Sequence, residues 1–479
     1  MATNVNHSDV IVVGAGPAGY IAAIRCAQLG FDTVCIDNWK DKKGSAALGG
    51  TCINAGCIPS KALLDSSDLY DTVKSGLANK GIKVAGIELD LPAMISHKDQ
   101  VISRLTDKIA LLFKSNGIKT IHGSAKLLDG KRVEIKSVNG PEATQIISSD
   151  NIILAAGSSP INISTAPTDG EFIVDSTDAL NFSSVPKTLG IIGAGIVGCE
   201  LGSIWRRLGS KVILLEAQEE FLTIADRDIA REACRQYQAQ GLDIRLGCRV
   251  MSAKKTSKHI SLQYEDTDGN HRLQLDRLIV AVGRKPNSGN LFAPEADLLL
   301  DENGFVHIDE QGMTNLPGVY AIGDLCQGPM LAHKGIEEGM LVAENIAGKE
   351  FKLDYRLIPS VIYTEPEIAW VGQTEQALRA AGEDINIGVF PFDANSRALV
   401  MDKHPGLVKI IANAQTDRVL GVHIVGTRAS ELIAEAVLAM EFSASSEDLA
   451  RTIHAHPTLA ESVHEAALAV DHRALHIPH

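Results

Sequence analysis

The sequence is short of basic residues: 45 Lys and Arg stand against 59 Asp and Glu, and the net charge is −14. A chain this acidic is a poor nucleic-acid binder, because neutralising phosphates requires Lys and Arg. No apolar run reaches the roughly 20 residues that a membrane-spanning helix needs. Eight cysteines among 479 residues are too few for a disulfide scaffold. We therefore expect no nucleic-acid partner, no membrane span and no disulfide-stapled fold.

The first nine residues, MATNVNHSD, lack both a basic residue and an apolar stretch. We therefore expect no targeting peptide and a cytoplasmic protein. Hydrophobic residues make up 45% of the chain and charged residues 22%, which is typical of a globular enzyme. At about 150 residues per domain, the length predicts roughly three domains.

Two segments, 8–37 and 187–216, share one pattern. Each has an apolar strand, a glycine-rich turn, a helical stretch and a second apolar strand that ends in an acid, which together predict a βαβ unit. In both, the acid follows the first glycine of a GxGxxG motif by 23 positions. The residues concerned are Gly14, Gly16, Gly19 and Asp37 in the first segment, and Gly193, Gly195, Gly198 and Glu216 in the second.

This spacing is typical of dinucleotide binding. The first glycine makes a tight turn, the second lets the backbone approach a pyrophosphate, and the third lets the helix pack on the strand. The helix N-terminus then offers N–H groups to the phosphates. Asp37 and Glu216 would accept hydrogen bonds from a ribose 2′-OH, and no Arg follows Glu216 closely, which favours NAD over NADP. The alternative is that the glycines only make tight turns.

Two cysteines, Cys52 and Cys57, lie just beyond the first unit, in GGTCINAGCIPSK. Residues five apart in an ideal helix have Cα atoms about 8.7 Å apart, whereas a disulfide needs less than about 7 Å. If the two pair, the chain between them must depart from a regular helix, which Gly56 permits. Pro59 suits the first turn of a helix, and this would place Cys57 at a helix N-terminus that stabilises a thiolate. The alternative is two buried, inert cysteines.

Two dinucleotide sites and a redox dithiol together indicate an electron relay. Nicotinamide exchanges hydride, whereas thiols exchange electrons by attack on a disulfide. A flavin reacts with both. We therefore expect FAD at the first site and NAD at the second, with no metal site.

The segment from His454 to Glu461 contains a second candidate group, in which His456 precedes Pro457. A residue before proline avoids the helical region, so we expect His456 to be extended and a helix to begin at Pro457. Glu461, in the second turn of that helix, could reach back to the imidazole and support a general base. A purely structural role is the alternative. His454 and His464 are interpreted as surface or packing residues.

Several motifs occur in an order and spacing that resemble the pyridine nucleotide–disulfide oxidoreductases over essentially the whole chain. GPMLAHK and the acid at Glu216 resemble the lipoamide branch of that family rather than its glutathione-reducing branch. The motifs are GGTCINAGCIPSK, GAGIVGCELG, the YAIGD strand ending at Asp324, GPMLAHKGIEEG at 328–339 and HPTLAE at 456–461.

The resemblance implies a role for individual residues. Cys52 would exchange with substrate sulfur and Cys57 would lie nearest the flavin, with Lys61 beside the flavin's reactive nitrogen. His456 and Glu461 would form a catalytic dyad supplied by the other subunit of a homodimer. The remaining implied cofactor residues are Gly50, Thr51, Gly157, Asp324 and Ala332 for FAD, and Glu200 and Gly283 for NAD.

The implied activity is oxidation of dihydrolipoamide to lipoamide, with electrons passing through the cysteine pair and FAD to NAD⁺. The partner would be the lipoyl-bearing acyltransferase of a 2-oxo acid dehydrogenase complex. One alternative is a related reductase that acts on glutathione or another small thiol. Another is a flavoprotein without enzymatic activity that serves as a binding subunit.

The fold expected from these patterns is α/β, with two Rossmann-like dinucleotide-binding domains and a C-terminal α+β interface domain. The C-terminal part is expected to be α+β because strands with an alternating pattern of residues come first in its sequence and helices follow them. The expected segments are 1–158 for FAD and the cysteine pair, 159–286 for NAD, 287–354 completing the FAD site, and 355–479 for dimerisation.

Overall fold

The computed structural model describes residues 7–75, 77–137, 144–350 and 352–478. Most of the N-terminal segment expected to lack a targeting signal, residues 1–6, lies outside the described residues. None of the helices in the described ranges has the length and apolar character needed to cross a bilayer. The helices are α1 (Pro17–Gln28), α2 (Gly50–Ala55), α3 (Cys57–Ser75), α4 (Leu91–Ser115), α5 (Ser176–Ala179), α6 (Ile196–Arg207), α7 (Arg227–Ala239), α8 (Ala332–Ile346), α9 (Glu375–Ala380), α10 (Ser396–Met401), α11 (Ala429–Glu441), α12 (Ser446–Arg451) and α13 (Glu461–Ala469).

The strands range from two to eleven residues in length. They are β1 (His7–Val13), β2 (Thr33–Asp37), β3 (Lys119–Asp129), β4 (Arg132–Ser137), β5 (Thr144–Leu154), β6 (Ser158–Pro160), β7 (Ile173–Val174), β8 (Thr188–Ile192), β9 (Lys211–Leu215), β10 (Leu242–Arg245), β11 (Arg249–Lys255), β12 (Ile260–Asp266), β13 (Gly269–Leu275), β14 (Arg277–Val280), β15 (Arg284–Pro286), β16 (Val319–Ala321), β17 (Ser360–Ile362), β18 (Glu367–Gly372), β19 (Ile385–Pro391), β20 (Leu407–Asn413) and β21 (Val419–Gly426).

The chain divides into two compact units. One comprises Met1–Ala62, Pro92–Ile161 and Gly283–Leu353, and the other comprises Leu63–Leu91, Asn162–Val282 and Asp354–His479. The α/β class, the two dinucleotide-binding folds and the C-terminal α+β part are confirmed. The four segment boundaries expected from sequence stay a prediction.

The first unit is built on a six-stranded sheet. Strands β2, β1, β5 and β16 are parallel neighbours, while β3 and β5 continue beyond the parallel part into an antiparallel meander with β4. Alternate residues of β1 enter different cores: Val10 and Val12 pack with α1, α4 and α8, and Ile11 packs with the meander. Because both faces are covered there, β1 is continuously apolar from Val10 to Val13.

The second unit contains two larger sheets. The parallel sheet has the order β10-β9-β8-β14-β7, and a three-stranded meander of β11 to β13 follows β10 in the chain. The other sheet is antiparallel, with the order β17-β18-β21-β20-β19, and α11 and α13 pack on it. The alternating pattern that sequence indicated for β20 and β21 is wrong, because both strands are buried along nearly their whole length within this separate sheet.

A buried lysine connects three parts of the second unit. Lys409 of β20 is 1% exposed, and its Nζ lies 2.9 Å from Asp226, 2.7 Å from Asp228 and 2.6 Å from Glu375. Burial raises the pKa of Asp226, but the hydrogen bond and charge of Lys409, together with His423 and the Glu375 amide, outweigh that effect, so the pKa is lowered. The pKa of Glu375 is lowered for the same reason, with Arg379 contributing.

Lys409→Met should destabilise the second unit at pH 7, because Asp226 would remain fully buried without its cation. A carboxylate whose pKa is lowered stabilises the folded state above its unfolded pKa and loses that effect as the pH falls through the folded value. The orphaned carboxylate would instead protonate more readily. The loss in thermal midpoint should therefore shrink between pH 7 and pH 4.5. The control is Lys255→Met, which removes an exposed ion pair with Glu171. An equal and pH-independent loss of thermal midpoint in both variants would show that burial of the Lys409–Asp226 pair does not determine the effect.

Candidate functional site

Two strand–turn–helix junctions have the same geometry. The first lies between β1 and α1 and the second between β8 and α6, with Gly16 and Gly195 immediately before the helices. A Cβ added to Gly19 would lie 1.9 Å from the Gly14 carbonyl oxygen, and one on Gly198 would lie 2.0 Å from that of Gly193. Only glycine allows the helix to approach the turn this closely. Both junctions therefore have the strand–turn–helix form that the GxGxxG spacing predicted.

Each predicted ribose acid also holds its own glycine turn. Asp37, the last residue of β2, accepts a hydrogen bond from the Ala15 amide at 3.1 Å. Glu216, which follows β9, accepts one from the Ala194 amide at 2.8 Å. Ala15 and Ala194 each follow the first glycine of their motif. Burial raises the pKa of Asp37, and hydrogen bonds from backbone amides partly offset the effect.

A cavity of about 390 Å³ opens beside Asp37. The Nε2 atom of His122 is buried and has no hydrogen-bond partner among the described residues. Apolar walls with a few polar groups at the edge suit a heterocyclic base. The cavity therefore fits the adenosine end of a dinucleotide bound at the first glycine turn. Its lining residues include Ala47, Leu48, Phe113, Ile118, Thr120 and His122.

The segment that contains Cys52 and Cys57 contacts the first glycine turn through its backbone. The Gly49 amide donates to the Ala15 carbonyl at 2.9 Å, and a Cβ on Gly50 would lie 2.7 Å from the Cα of Gly16. Gly50 also has a positive φ of 56°, which favours glycine. Helix α2 starts at this contact and carries Thr51 and Cys52. The cysteines thus lie beside the turn predicted to bind the flavin dinucleotide.

The chain departs from a regular helix between the two cysteines, as the pairing distance requires. Helix α2 ends at Ala55, Gly56 has φ −137° and ψ −106°, and α3 begins at Cys57. Pro59 then occupies the first turn of α3. Cys57 therefore lies at the N-terminus of a 19-residue helix, as predicted.

The side chains of Cys52 and Cys57 are hydrogen-bonded to each other. The hydrogen bond to Cys57 and burial raise the pKa of Cys52, while the positive charge of Lys61, one turn into α3, opposes the rise. The hydrogen bond and burial thus both favour the protonated form of Cys52. Position at a helix N-terminus favours negative charge on the Cys57 sulfur.

The remaining cysteines are half-buried or buried packing residues, as expected from their sequence context. Burial raises the pKa of Cys26 to about 12, so that its thiol stays protonated. These residues are Cys26, Cys35, Cys199, Cys234, Cys248 and Cys326.

Asp324 lies in a short turn directly after β16, within the first unit. Its carboxylate accepts a hydrogen bond from Ser158, and Ser158 in turn accepts one from Arg284 at 2.7 Å. Gly157, with φ 69°, precedes Ser158, and Ala332 is the first residue of α8. Gly157 and Asp324 are both expected to bind FAD. Both are adjacent to Ser158, Gly157 along the chain and Asp324 through a hydrogen bond.

Sequence analysis missed two charged residues that hold this turn. The Gly323 amide donates to Glu338 at 2.7 Å, and Lys334 donates to the Gly323 carbonyl at 3.0 Å. Lys334 and Glu338 are 3.1 Å apart and each is 1% exposed. The available signal was a Lys and a Glu four positions apart on an otherwise apolar helix face. This buried ion pair therefore holds both the amide and the carbonyl of Gly323, the residue that precedes Asp324.

The residues expected near NAD do not all lie in one unit. Glu200 of α6 is buried in the second unit and accepts a hydrogen bond from the Tyr363 amide at 3.0 Å. Gly283, with φ 114°, belongs to the first unit, where its carbonyl accepts from the Ile161 amide. Their roles toward nicotinamide stay predictions.

The predicted histidine–glutamate pair forms. The Nδ1 of His456 lies 2.9 Å from Glu461, whose other oxygen accepts from the Thr458 amide at 2.8 Å. Burial raises the pKa of Glu461, but these two hydrogen bonds outweigh it and the pKa is lowered. The His456 side chain is 71% exposed. With Nδ1–H donated to the carboxylate, Nε2 is the nitrogen that can accept a proton.

The expected position of the helix start was wrong. Helix α13 begins at Glu461 and not at Pro457, and the His456–Pro457 peptide bond is cis. The Glu461 carboxylate binds the Thr458 amide and thereby closes a tight turn ahead of the helix. Glu461 consequently reaches His456 across that turn, rather than from the second turn of a helix.

Comparisons with known proteins agree with this geometry. A family model described as pyridine nucleotide-disulphide oxidoreductase matches residues 8–339, and the model of the dimerisation domain matches 358–467. The chain is 47% identical over 472 residues to dihydrolipoyl dehydrogenase of Cupriavidus necator, covering 98% of this chain and 99% of the relative. It is 43% identical over 474 residues to the mitochondrial dihydrolipoyl dehydrogenase 1 of Arabidopsis thaliana, covering 98% and 92%. The fold is similar to the crystal structure of LpdA from Mycobacterium tuberculosis, with a TM-score of 0.87, 24% identity and coverage of 97% and 99%.

Lys334→Met should destabilise the first unit by about 3–5 kcal/mol, because it leaves Glu338 buried without a cation. The variant should also lose its bound dinucleotide more readily, since the peptide before Asp324 is released. Thermal melting and gel filtration with absorbance detection would measure both effects. The control is Lys349→Met, at an exposed pair 3.3 Å from Glu344, which should cost less than about 1 kcal/mol. Equal melting of the two variants would show that the buried pair does not hold the turn.

Proposed function

The chain belongs to the pyridine nucleotide-disulphide oxidoreductases, and we propose that it is a dihydrolipoyl dehydrogenase that oxidises dihydrolipoamide to lipoamide with NAD⁺. The observation that carries the proposal is the hydrogen-bonded pair of Cys52 and Cys57, held against a dinucleotide-binding turn at the start of a long helix. A reductase of glutathione is not favoured, because the similar full-length relatives are named dihydrolipoyl dehydrogenases.

The first chemical step is proton removal. The Nε2 atom of His456 accepts a proton from one substrate thiol, while Glu461 holds Nδ1–H and stabilises the imidazolium that forms. The substrate thiolate attacks the sulfur of Cys52 in the oxidised cysteine pair. The Cys52–Cys57 bond breaks, and Cys57 leaves as a thiolate, which the N-terminus of α3 stabilises.

The second substrate thiol completes the exchange. Its sulfur attacks the substrate sulfur already bonded to Cys52, which closes the lipoamide ring and releases Cys52. Cys52 takes up a proton, in agreement with its raised pKa, so the reduced pair holds both electrons of the substrate dithiol. FAD, when bound, supplies the carrier that takes electrons from thiols and delivers hydride to NAD⁺.

We assign the first glycine turn to FAD and the second to NAD. Asp37, the adjacent cavity and the Asp324 turn support the first assignment, and Glu216 at the second turn supports NAD rather than NADP. The residues proposed to hold FAD are Gly14, Gly16, Gly19, Asp37, Gly50, Thr51, Lys61, Gly157, Asp324 and Ala332. Those proposed for NAD are Gly193, Gly195, Gly198, Glu200, Glu216 and Gly283.

A homodimer is part of the proposal, and the match of residues 358–467 to a dimerisation domain supports it. In that assembly, His456 and Glu461 of one subunit would serve the cysteine pair of the other. We further propose that the thiol substrate is carried on the lipoyl domain of an acyltransferase in a 2-oxo acid dehydrogenase complex, within the cytoplasm.

Anaerobic titration with dihydrolipoamide tests the function. The yellow holoenzyme should develop the long-wavelength band of a thiolate in contact with oxidised flavin, whereas glutathione should produce none. Cys57→Ser should bind FAD but lack the band, because it removes the thiolate. Cys52→Ser should show the band without reductant, since Cys57 can then no longer form a disulfide with residue 52. Cys26→Ser, at a buried packing cysteine, is the control. A band in Cys57→Ser would refute the assignment of the two sulfurs.

His456→Gln should lower the rate of dihydrolipoamide oxidation by about 10²-fold or more, as expected for loss of a general base. Reduction of ferricyanide by NADH should persist, because it requires no proton transfer from a thiol. Stopped-flow and steady-state rates would measure both reactions. His404→Gln changes an exposed histidine paired with Asp393 in the same unit and is the matched control. A loss of less than about tenfold for His456→Gln would remove the base from the mechanism.

A further inference from the structure

A second histidine–glutamate pair lies two residues before His456. The Nε2 of His454 is 2.6 Å from a carboxylate oxygen of Glu435 on α11. Its Nδ1 is 2.9 Å from the carbonyl oxygen of Thr452, the residue that follows α12. The side chain is 7% exposed, and its ring packs at 5.2 Å between centroids against His464. His454, interpreted from sequence as a surface or packing residue, is thus hydrogen-bonded at both ring nitrogens.

The two partners fix the protons of this ring. A backbone carbonyl can only accept, so Nδ1 must carry a hydrogen. A carboxylate also accepts, so a proton must lie between Nε2 and Glu435, since two lone pairs would otherwise face each other at 2.6 Å. Both ring nitrogens of His454 are therefore used in hydrogen bonds, which hold the imidazole in one orientation.

The two hydrogen bonds of His454 hold one end of the segment that contains His456. At its other end, the Thr458 carbonyl accepts from the Asn395 side chain at 3.0 Å, and the Thr458 amide donates to Glu461. His456 itself is largely exposed. Because its imidazole has little packing around it, the direction of Nε2 depends on how the segment is held at both ends.

We propose that His454 is a positioning residue for proton transfer: its double hydrogen bond to Glu435 and Thr452 sets the segment so that His456 stays on Glu461 with Nε2 directed outward. The proposal rests on the proposed function and adds a residue to it. A displacement of about 1 Å at a reacting group can reduce a rate by about a hundredfold. His454 acts through His456 and does not itself contact the substrate.

The test compares substitutions that keep or remove the bond to Glu435 in the holoenzyme. His454→Phe keeps a ring but removes both hydrogen bonds, and Glu435→Leu removes the carboxylate. His454→Gln can still donate an N–H to Glu435. The matched control is His271→Phe, because His271 in β13 has the same kind of partners: Asp266 at 2.7 Å and the ring of Tyr264 at 4.9 Å.

Each variant is assayed for kcat and KM with dihydrolipoamide and for NADH-dependent ferricyanide reduction. We expect His454→Phe and Glu435→Leu each to lower kcat by about tenfold to a hundredfold. KM and ferricyanide reduction should stay within about twofold of wild type, since substrate contacts and the nicotinamide reaction are unchanged. His454→Gln should recover most of the kcat, and the double variant should be no slower than either single one. His271→Phe should match wild type in all three measurements.

Three outcomes would overturn the positioning role. The first is a kcat of His454→Phe within twofold of wild type. The second is an equal loss of lipoamide and ferricyanide activities, which indicates a general structural defect. The third is a His454→Gln variant as slow as His454→Phe, which excludes the bond to Glu435 as the cause. If wild-type enzyme itself fails to oxidise dihydrolipoamide, the proposed function fails first and the positioning role fails with it.

Discussion

The contact between Gly50 and Gly16 is the constraint on which the arrangement of the first unit depends. It allows the cysteine segment to approach a phosphate-binding turn more closely than any side chain would permit. The hydrogen bond from Gly49 to Ala15 fixes the same junction. Because α2 starts there and breaks at Gly56, the position of Cys57 at the head of α3 follows from the position of the turn. The chain thereby couples a dinucleotide site to a thiol pair through backbone contacts alone.

Sequence predicted the parts of this arrangement that depend on local geometry. The two glycine turns and the helix break between the cysteines have requirements within a few residues, and each acid follows its turn at the same spacing of 23 positions. Spacing alone therefore indicated them. The C-terminal α+β part was also predicted, although the alternation expected of its strands was wrong, since β20 and β21 are buried along nearly their whole length.

Features that depend on distant partners were not predictable in this way. Lys334 and Glu338 look like an ordinary helix-surface pair until Gly323 is packed against them. Pro457 indicated a helix start by its usual preference, but the Glu461 carboxylate closes a turn and delays the helix to residue 461. His454 needed Glu435, 19 positions away on another helix, before its two hydrogen bonds could be identified. In the first and third cases a charged side chain pairs with a residue that only the tertiary fold brings close, whereas in the second a local side-chain hydrogen bond replaces the usual preference of proline.

The His456–Glu461 pair and the cysteine pair are each proposed to accept one of the protons that oxidation of a dithiol releases. The reaction releases protons at the substrate sulfurs, and His456, with Glu461 holding one nitrogen, offers one acceptor. Cys52 offers another, because its hydrogen bond to Cys57 and its burial raise its pKa, whereas Cys57 at a helix N-terminus is suited to stay negative. In the proposed mechanism, a pair with these preferences reversed would place the proton on the sulfur proposed to pass electrons onward. The asymmetry between the two cysteines is therefore set by the break at Gly56, which gives only one of them the start of α3.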